Sequence, residues 1–157
     1  MTAPLHMPLR VVILRSQYHE TITANLLDGA VSELRAHGLD DSQFEIVTVP
    51  GAFELATAAA RVVKRLNVDA VIALGCVVRG ETPHFDFICQ ACANGLSRVG
   101  ESSGKPVTFG VITANTVEQA FERAGGRVGN KGQEAARAAL ELVSALKLWE
   151  QQQVTGS

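Results

Sequence analysis

Residues 70–78 read AVIALGCVV and form the most apolar segment of the chain. Polar side chains do not alternate with the apolar ones here, which is typical of a strand buried on both faces of a parallel sheet. Shorter apolar runs, rich in β-branched residues, lie at 9–14, 44–49 and 107–112. The sequence therefore predicts four strands, of which 70–78 is the longest.

Segments with helical periodicity separate these strands. Between the first two, apolar residues recur at every fourth position from Ile22 to Leu34, and Gly38 follows as a stop signal. Further helices are predicted at 53–66, 86–99, 116–124 and 133–153. Strands that alternate with helices predict an α/β fold, a three-layer α/β/α sandwich around a flavodoxin-like four-stranded parallel sheet.

Length and charge restrict the class of protein. The 157 residues suffice for one domain, so we expect a single domain over 1–157 with flexible tails at 1–8 and 154–157. The 14 basic and 16 acidic side chains give a net charge of −2, which argues against a nucleic-acid partner. No apolar run approaches the roughly 20 residues of a membrane span, and the N-terminus does not resemble a signal peptide. We expect a cytoplasmic protein without a membrane partner.

Three cysteines, Cys76, Cys89 and Cys92, make an odd number in apolar surroundings, which suits a reducing compartment. Residues 89–92 read C-x-x-C, but Ala91, Ala93 and Leu96 fit a helix interior. No second cysteine pair completes a zinc site, so no metal is expected. Helix packing is the favoured interpretation, with redox chemistry and metal binding as alternatives.

The loops that follow the strands are the candidate binding loops, because ligands of open parallel sheets bind beyond the carboxyl ends of the strands. After the third strand, the backbone N–H groups of Glu81 and Thr82 are candidates to hold an anion at a helix start. His84 is an acid/base candidate, since imidazole titrates near neutral pH; a structural or exposed histidine is the alternative. After the second strand, Phe53 offers an aromatic face and Glu54 an acceptor, unless this is an ordinary strand-to-helix turn.

A glycine-rich loop at 125–132 matches no nucleotide-binding motif, because its spacing is wrong for a P-loop and it follows a helix instead of a strand. Arg123, just before this loop, is a candidate phosphate ligand or a cation that complements a helix dipole. The final predicted helix carries apolar and small residues over a wide stripe, which suggests packing on two sides and therefore a subunit interface. A simple core helix is the alternative.

Five motifs in order resemble the 6,7-dimethyl-8-ribityllumazine synthase family. They are PGAFE (50–54), ALGCVVRGETPHFD (73–86), FGVIT (109–113), EQAFERAG (118–125) and GNKG (129–132). The resemblance spans roughly residues 9–149. It implies the condensation of 5-amino-6-(D-ribitylamino)uracil with 3,4-dihydroxy-2-butanone 4-phosphate, a step of riboflavin biosynthesis that needs no cofactor or metal.

The resemblance also implies roles for particular residues. His84 would move protons, Glu81 and Thr82 would bind the phosphate, and Arg123 would be its counter-charge. The remaining implied substrate-binding residues are Tyr18, Ala52, Phe53, Glu54, Cys76, Val77, Val78, Phe109 and Lys131. In this family Phe109, Arg123 and Lys131 belong to the neighbouring subunit's side of the site, so a homopentamer is expected. A decamer or a shell of sixty chains stays open.

The first loop departs from the family pattern Arg-Phe-Asn. Here Gln17, Tyr18 and His19 stand in its place. Tyrosine still stacks on a pyrimidine, whereas the role of His19 is open. Two other classes of function compete with the synthase: a non-catalytic lumazine or riboflavin binder on the same scaffold, and a redox protein.

Overall fold

Four parallel strands form the central sheet of the computed structural model, which describes residues 8–156. The strands lie in the order β2-β1-β3-β4. They are β1 (Val11–Ser16), β2 (Phe44–Val49), β3 (Ala70–Val78) and β4 (Val107–Ala114). In the register, Leu14 of β1 lies opposite Val47 of β2 and Ala73 of β3. The apolar segment at 70–78 is an inner strand, paired on both edges, which explains its uninterrupted hydrophobicity.

Helices cover both faces of the sheet. They are α1 (Glu20–Ala36), α2 (Leu55–Val62), α3 (His84–Ser103), α4 (Val117–Glu122) and α5 (Lys131–Thr155). Leu26 of α1 and Ala139 of α5 pack with Ile13 on one face. Leu55 of α2 and Leu96 of α3 pack with the opposite face. The predicted three-layer α/β/α architecture with a flavodoxin-like parallel sheet is confirmed.

Several predicted boundaries differ from the structure. The strand predicted at 9–14 occupies Val11–Ser16, because Arg15 and Ser16 continue the pairing with β2. The helix predicted at 53–66 begins with a 3₁₀ turn, Ala52–Glu54, and α2 ends at Val62. After Val62 the backbone continues in tighter turns, in which the Arg65 N–H donates to the Val62 carbonyl at 3.1 Å. The Lys105 ammonium donates to the carbonyls of Val63 and Arg65 at 2.9 and 2.7 Å, which have no partner within α2.

The glycine-rich segment is more ordered than predicted. It contains two short antiparallel strands, β5 (Ala124–Gly126) and β6 (Gly129–Asn130). Asn130 then caps α5, because its side-chain oxygen accepts from the backbone N–H groups of Gly132 and Gln133. A Cβ at Gly132 would clash with the carbonyl oxygen of Leu26, so only glycine permits this approach of α5 to α1.

A buried carboxylate links α1 to α5. Glu33 is only 6% exposed, and it accepts hydrogen bonds from Arg137 Nε at 3.0 Å and Gln133 Nε2 at 2.9 Å. The hydrogen bond from Arg137, then that from Gln133, lowers the pKa of Glu33 below its ordinary value of 4.5. Glu33 is therefore ionised and paired at neutral pH.

The outer side of α5 remains exposed in the single chain. Ala136 and Ala139 are fully buried against the sheet, whereas Leu142, Leu146 and Trp149 are 37–58% exposed. The helix continues to Thr155, so residues 154 and 155 of the predicted tail extend it. The predicted tail at 1–8 lies outside the described residues except for Pro8. Between residues 8 and 156, no helix has the length and apolar character needed to cross a membrane.

Candidate active site

A cleft of about 480 Å³ lies at the carboxyl ends of β1, β2 and β3. Three turns enclose it, one after each of these strands. Its lining consists of Tyr18, His19, Gly51, Ala52, Phe53, Glu54, Cys76, Val77, Val78, Gly80, Thr82, His84, Phe85 and Ile88. The position agrees with the rule that open parallel sheets bind ligands beyond their carboxyl ends.

The turn after β1 presents two rings to the cleft. Backbone hydrogen bonds tie this turn to the end of β2: Gln17 N–H donates to the Val49 carbonyl at 2.8 Å, and Tyr18 N–H donates to the Pro50 carbonyl at 3.1 Å. The Tyr18 side chain is 69% exposed, so its face is free to contact a ligand. Burial lowers the pKa of His19 below 6.5, and this imidazole is neutral at pH 7.

The PGAFE turn after β2 forms the opposite wall. Gly51 precedes the 3₁₀ turn Ala52–Glu54, and the Glu54 N–H donates to the Gly51 carbonyl at 3.2 Å. Ala52 is buried and holds the turn against the sheet, while the Phe53 ring is 59% exposed. The turn therefore places Phe53 and Glu54 on the lining of the cleft.

The end of β3 forms the floor of the cleft through Cys76, Val77 and Val78. Burial raises the pKa of the Cys76 thiol to about 12, so this side chain stays a neutral thiol at physiological pH. Cys76 is thus unsuited to act as a thiolate nucleophile.

Arg79 organises the turn between β3 and α3. Its guanidinium lies 4.4 Å from the centre of the Phe85 ring, and its Nε donates to the Asn115 side-chain oxygen at 2.9 Å. Its backbone N–H donates to the carbonyl of Ala114, the last residue of β4. Arg79 was not among the residues predicted for the site, although its place inside the longest motif was a usable signal. Its contacts fix the start of the loop that carries the polar side of the site.

His84 is the first residue of α3 and lines the cleft with an exposed side chain. Its backbone N–H contacts the Thr82 hydroxyl oxygen at 3.4 Å. Glu81 lies between Gly80 and Thr82, both of which line the cleft. An anion bound at this turn would face the N-terminus of a 20-residue helix, which favours negative charge.

Four of the implied substrate-binding residues do not line the cleft of the same chain: Glu81, Phe109, Arg123 and Lys131. Phe109 lies on β4 and is 43% exposed. Arg123 donates from Nη1 to the Gln119 carbonyl at 3.0 Å, and the Lys131 ammonium lies 3.3 Å from a carboxylate oxygen of Glu134. Within one chain the side chains of Phe109, Arg123 and Lys131 therefore lie outside the cleft that His84 lines.

The cysteines of the C-x-x-C motif are free and lie within α3. Cys92 is buried, and burial raises the pKa of its thiol to about 11. Burial also raises the pKa of Cys89. Both shifts oppose the low-pKa thiolate that redox cysteines require, and they favour helix packing. Among the described side chains, no three His, Cys, Asp or Glu residues cluster closely enough to hold a metal ion.

A parallel α/β sandwich with a polar and aromatic cleft at its switch point, and a histidine on that cleft, defines a class of small-molecule enzyme domains. Comparison with known proteins identifies the member of this class. The chain belongs to the 6,7-dimethyl-8-ribityllumazine synthase family, whose model matches residues 8–147. A 6,7-dimethyl-8-ribityllumazine synthase from Phocaeicola vulgatus is 47% identical over 135 residues, which cover 86% of this chain and 80% of the relative. The resemblance seen in the motifs is confirmed.

Proposed function

We propose that this chain is a transferase that condenses 5-amino-6-(D-ribitylamino)uracil with 3,4-dihydroxy-2-butanone 4-phosphate. The products are 6,7-dimethyl-8-ribityllumazine, phosphate and water, and the step is the penultimate one of riboflavin biosynthesis. Family membership supports this reaction. The observation that supports this function most directly is that the turns after β1, β2 and β3 line one shared cleft.

The pyrimidine binds between the aromatic and backbone groups of the cleft. Tyr18 stacks on its ring, and Ala52, Phe53 and Glu54 contact the ribityl chain and the ring edge. The Glu54 carboxylate accepts hydrogen bonds from ribityl hydroxyls. These hydrogen bonds are stronger than those to a neutral acceptor, because the carboxylate is charged. Backbone groups of Cys76, Val77 and Val78 pair with the polar edge of the heterocycle. The exposure of the Tyr18 and Phe53 rings supports this arrangement.

The butanone phosphate binds at the turn that precedes α3. Backbone N–H groups of Glu81 and Thr82 donate to its oxygens, and the N-terminus of α3 favours the negative charge. Arg123 of a neighbouring chain supplies the counter-charge. This binding mode keeps the phosphate beside the cleft where the pyrimidine amine reaches the ketone.

His84 transfers protons in the reaction. The pyrimidine amine attacks the ketone and water leaves, which forms an imine. Loss of phosphate and ring closure with loss of the second water follow. Each of these steps moves a proton, and an imidazole that lines the cleft can accept and return it.

The active form is a homopentamer with its sites between subunits. Two observations support this proposal: Phe109, Arg123 and Lys131 lie apart from the cleft of their own chain, and α5 leaves Leu142, Leu146 and Trp149 exposed. A decamer or a sixty-chain shell would be built from the same pentamers. We further propose a cytoplasmic location, which the three free cysteines support.

The experiment that tests the function mixes both substrates with purified protein and follows the fluorescent lumazine. We expect product formation above the uncatalysed background, with release of one phosphate per lumazine. The matched control is the same protein without the butanone phosphate. Tight binding of lumazine without any acceleration of its formation would contradict the proposal and indicate a binding protein.

A further inference from the structure

His19 has an unusual backbone conformation at the edge of the cleft. Among the described non-glycine residues it alone has a positive φ, 59° with ψ of 57°. Asparagine, aspartate and histidine adopt this left-handed conformation more readily than other side chains. The His19 carbonyl accepts from the Thr23 N–H at 3.0 Å and so starts α1. The backbone restricts the choice of residue here, but asparagine would satisfy it without a ring.

The imidazole of His19 makes a contact that asparagine could not. Its ring centroid lies 4.5 Å from that of Tyr18, with an interplanar angle of 66°, an edge-to-face arrangement. Both rings line the cleft. The Tyr18 backbone is held through the Pro50 carbonyl, but its side chain is 69% exposed. An exposed aromatic side chain on a fixed backbone still exchanges between rotamers, unless a neighbour restricts it.

We propose that His19 is a positioning residue, whose ring holds the Tyr18 ring in the orientation that stacks on the pyrimidine. The inference rests on the proposed function, in which Tyr18 contacts that substrate. Because the Tyr18 ring is ordered before binding, the pyrimidine does not have to order it, and affinity rises. His19 itself acts through Tyr18 and need not touch the reacting atoms.

The expected effect is modest and selective. The stabilisation from one aromatic edge-to-face pair is enough to change a binding constant about two- to tenfold. Loss of the His19 ring should therefore raise KM for the pyrimidine by about two- to tenfold. The value of kcat and KM for the butanone phosphate should stay nearly constant, because the contact acts equally before and during the reaction.

The chain contains one tyrosine, so a probe at Tyr18 reports on this ring alone. We would incorporate 3-fluorotyrosine and record the ¹⁹F signal of the ligand-free protein and of its His19→Asn variant, which keeps a residue suited to the left-handed backbone. The signal of the variant should shift and show faster ring motion, while thermal unfolding shows that it is folded. KM for the pyrimidine is measured in the same variant with natural tyrosine.

A double-mutant cycle provides the control. In a Tyr18→Ala background, His19→Asn should cause no further rise in KM, since the ring that it positions is gone. An unchanged ¹⁹F signal in His19→Asn, a fall in kcat at constant KM, or full additivity in the cycle would overturn the inference. Failure of the wild-type protein to bind the pyrimidine would instead contradict the proposed function. The two failures can be distinguished, because the ¹⁹F comparison requires no substrate.

Discussion

At the level of single residues, the two imidazoles of the cleft have different surroundings and different proposed tasks. His84 lies exposed at the start of α3, where a proton can pass between its ring and a substrate. His19 packs against Tyr18 and is neutral at pH 7, because burial lowers its pKa. The position of His84 was predicted from its motif. The contact of His19 with Tyr18 depends on the left-handed backbone conformation of His19, which no sequence pattern predicted.

Replacement of His84 tests the proton-transfer assignment. A positioned general acid or base contributes about 10²- to 10⁴-fold to a rate, so His84→Ala should lower kcat by up to about that factor. The loss falls toward the lower limit if the reactive substrates, still held together, react without assistance. Turnover is measured by lumazine fluorescence, and circular dichroism controls for folding. Unchanged kcat in a folded variant would contradict the assignment.

Replacement of Arg123 tests the phosphate assignment. Loss of a charge-assisted contact costs about 1.5–3 kcal/mol, so Arg123→Ala should raise KM for the butanone phosphate about 10- to 100-fold. Binding of a ribityl-pyrimidine analogue, measured by calorimetry, should change much less. Equal weakening of both ligands would mean that Arg123 supports the pocket in general and does not pair with the phosphate.

The cysteines give a pH-dependent prediction. Burial raises the pKa of Cys76 to about 12 and that of Cys92 to about 11, so both remain protonated thiols up to about pH 9. Alkylation by iodoacetamide at pH 8, followed by mass spectrometry, should leave both unmodified in the folded protein. Urea-unfolded protein is the control and should be alkylated at all three cysteines. Rapid native alkylation of Cys92 would revive the redox interpretation.

At the level of elements, features that depend on the local sequence were predictable, whereas features that depend on contacts between distant residues were not. The strands at 44–49 and 70–78 coincide with β2 and β3, because their hydrophobicity is local to the segment. The end of α2 was missed, and the turn that follows it contacts Lys105, more than forty positions away. The link from Glu33 to Arg137 joins residues 104 positions apart and carries no local signal.

Glu33→Gln tests the α1–α5 link. Hydrogen bonds to a charged group contribute about 1.5–3 kcal/mol, so the free energy of unfolding of the variant at pH 7 should be lower by about that amount. The variant should therefore unfold at a lower urea concentration. The folded-state pKa of Glu33 is lowered, and its contribution is therefore complete above its ordinary value of 4.5 and declines as pH falls through the lower folded value. The difference between the two proteins should shrink in acid. A difference independent of pH would contradict an ionic role.

At the level of the whole molecule, the proposed site needs more than one chain. The cleft and its three turns follow from the strand order, so the positions of Tyr18, Glu54 and His84 were predictable from the sequence. Arg123 was a candidate phosphate ligand from its position in the sequence, but its place at a neighbouring chain's site, like the role of Lys131, was expected through family resemblance alone, because no periodicity indicates which surface of one chain faces the cleft of another. The exposed apolar side of α5 is the feature of the single chain that supports such an assembly.

Subunit complementation tests the central claim most directly. The His84→Ala and Arg123→Ala chains are co-expressed in equal amounts, and lumazine formation is measured at low butanone phosphate. If each site takes His84 from one chain and Arg123 from its neighbour in a ring, about a quarter of the sites in a random mixture contain both wild-type residues. We therefore predict recovery to about a quarter of wild-type activity, and no recovery in a ring in which every chain carries both substitutions. Activity no higher than the mean of the two parent variants would contradict a site shared between chains.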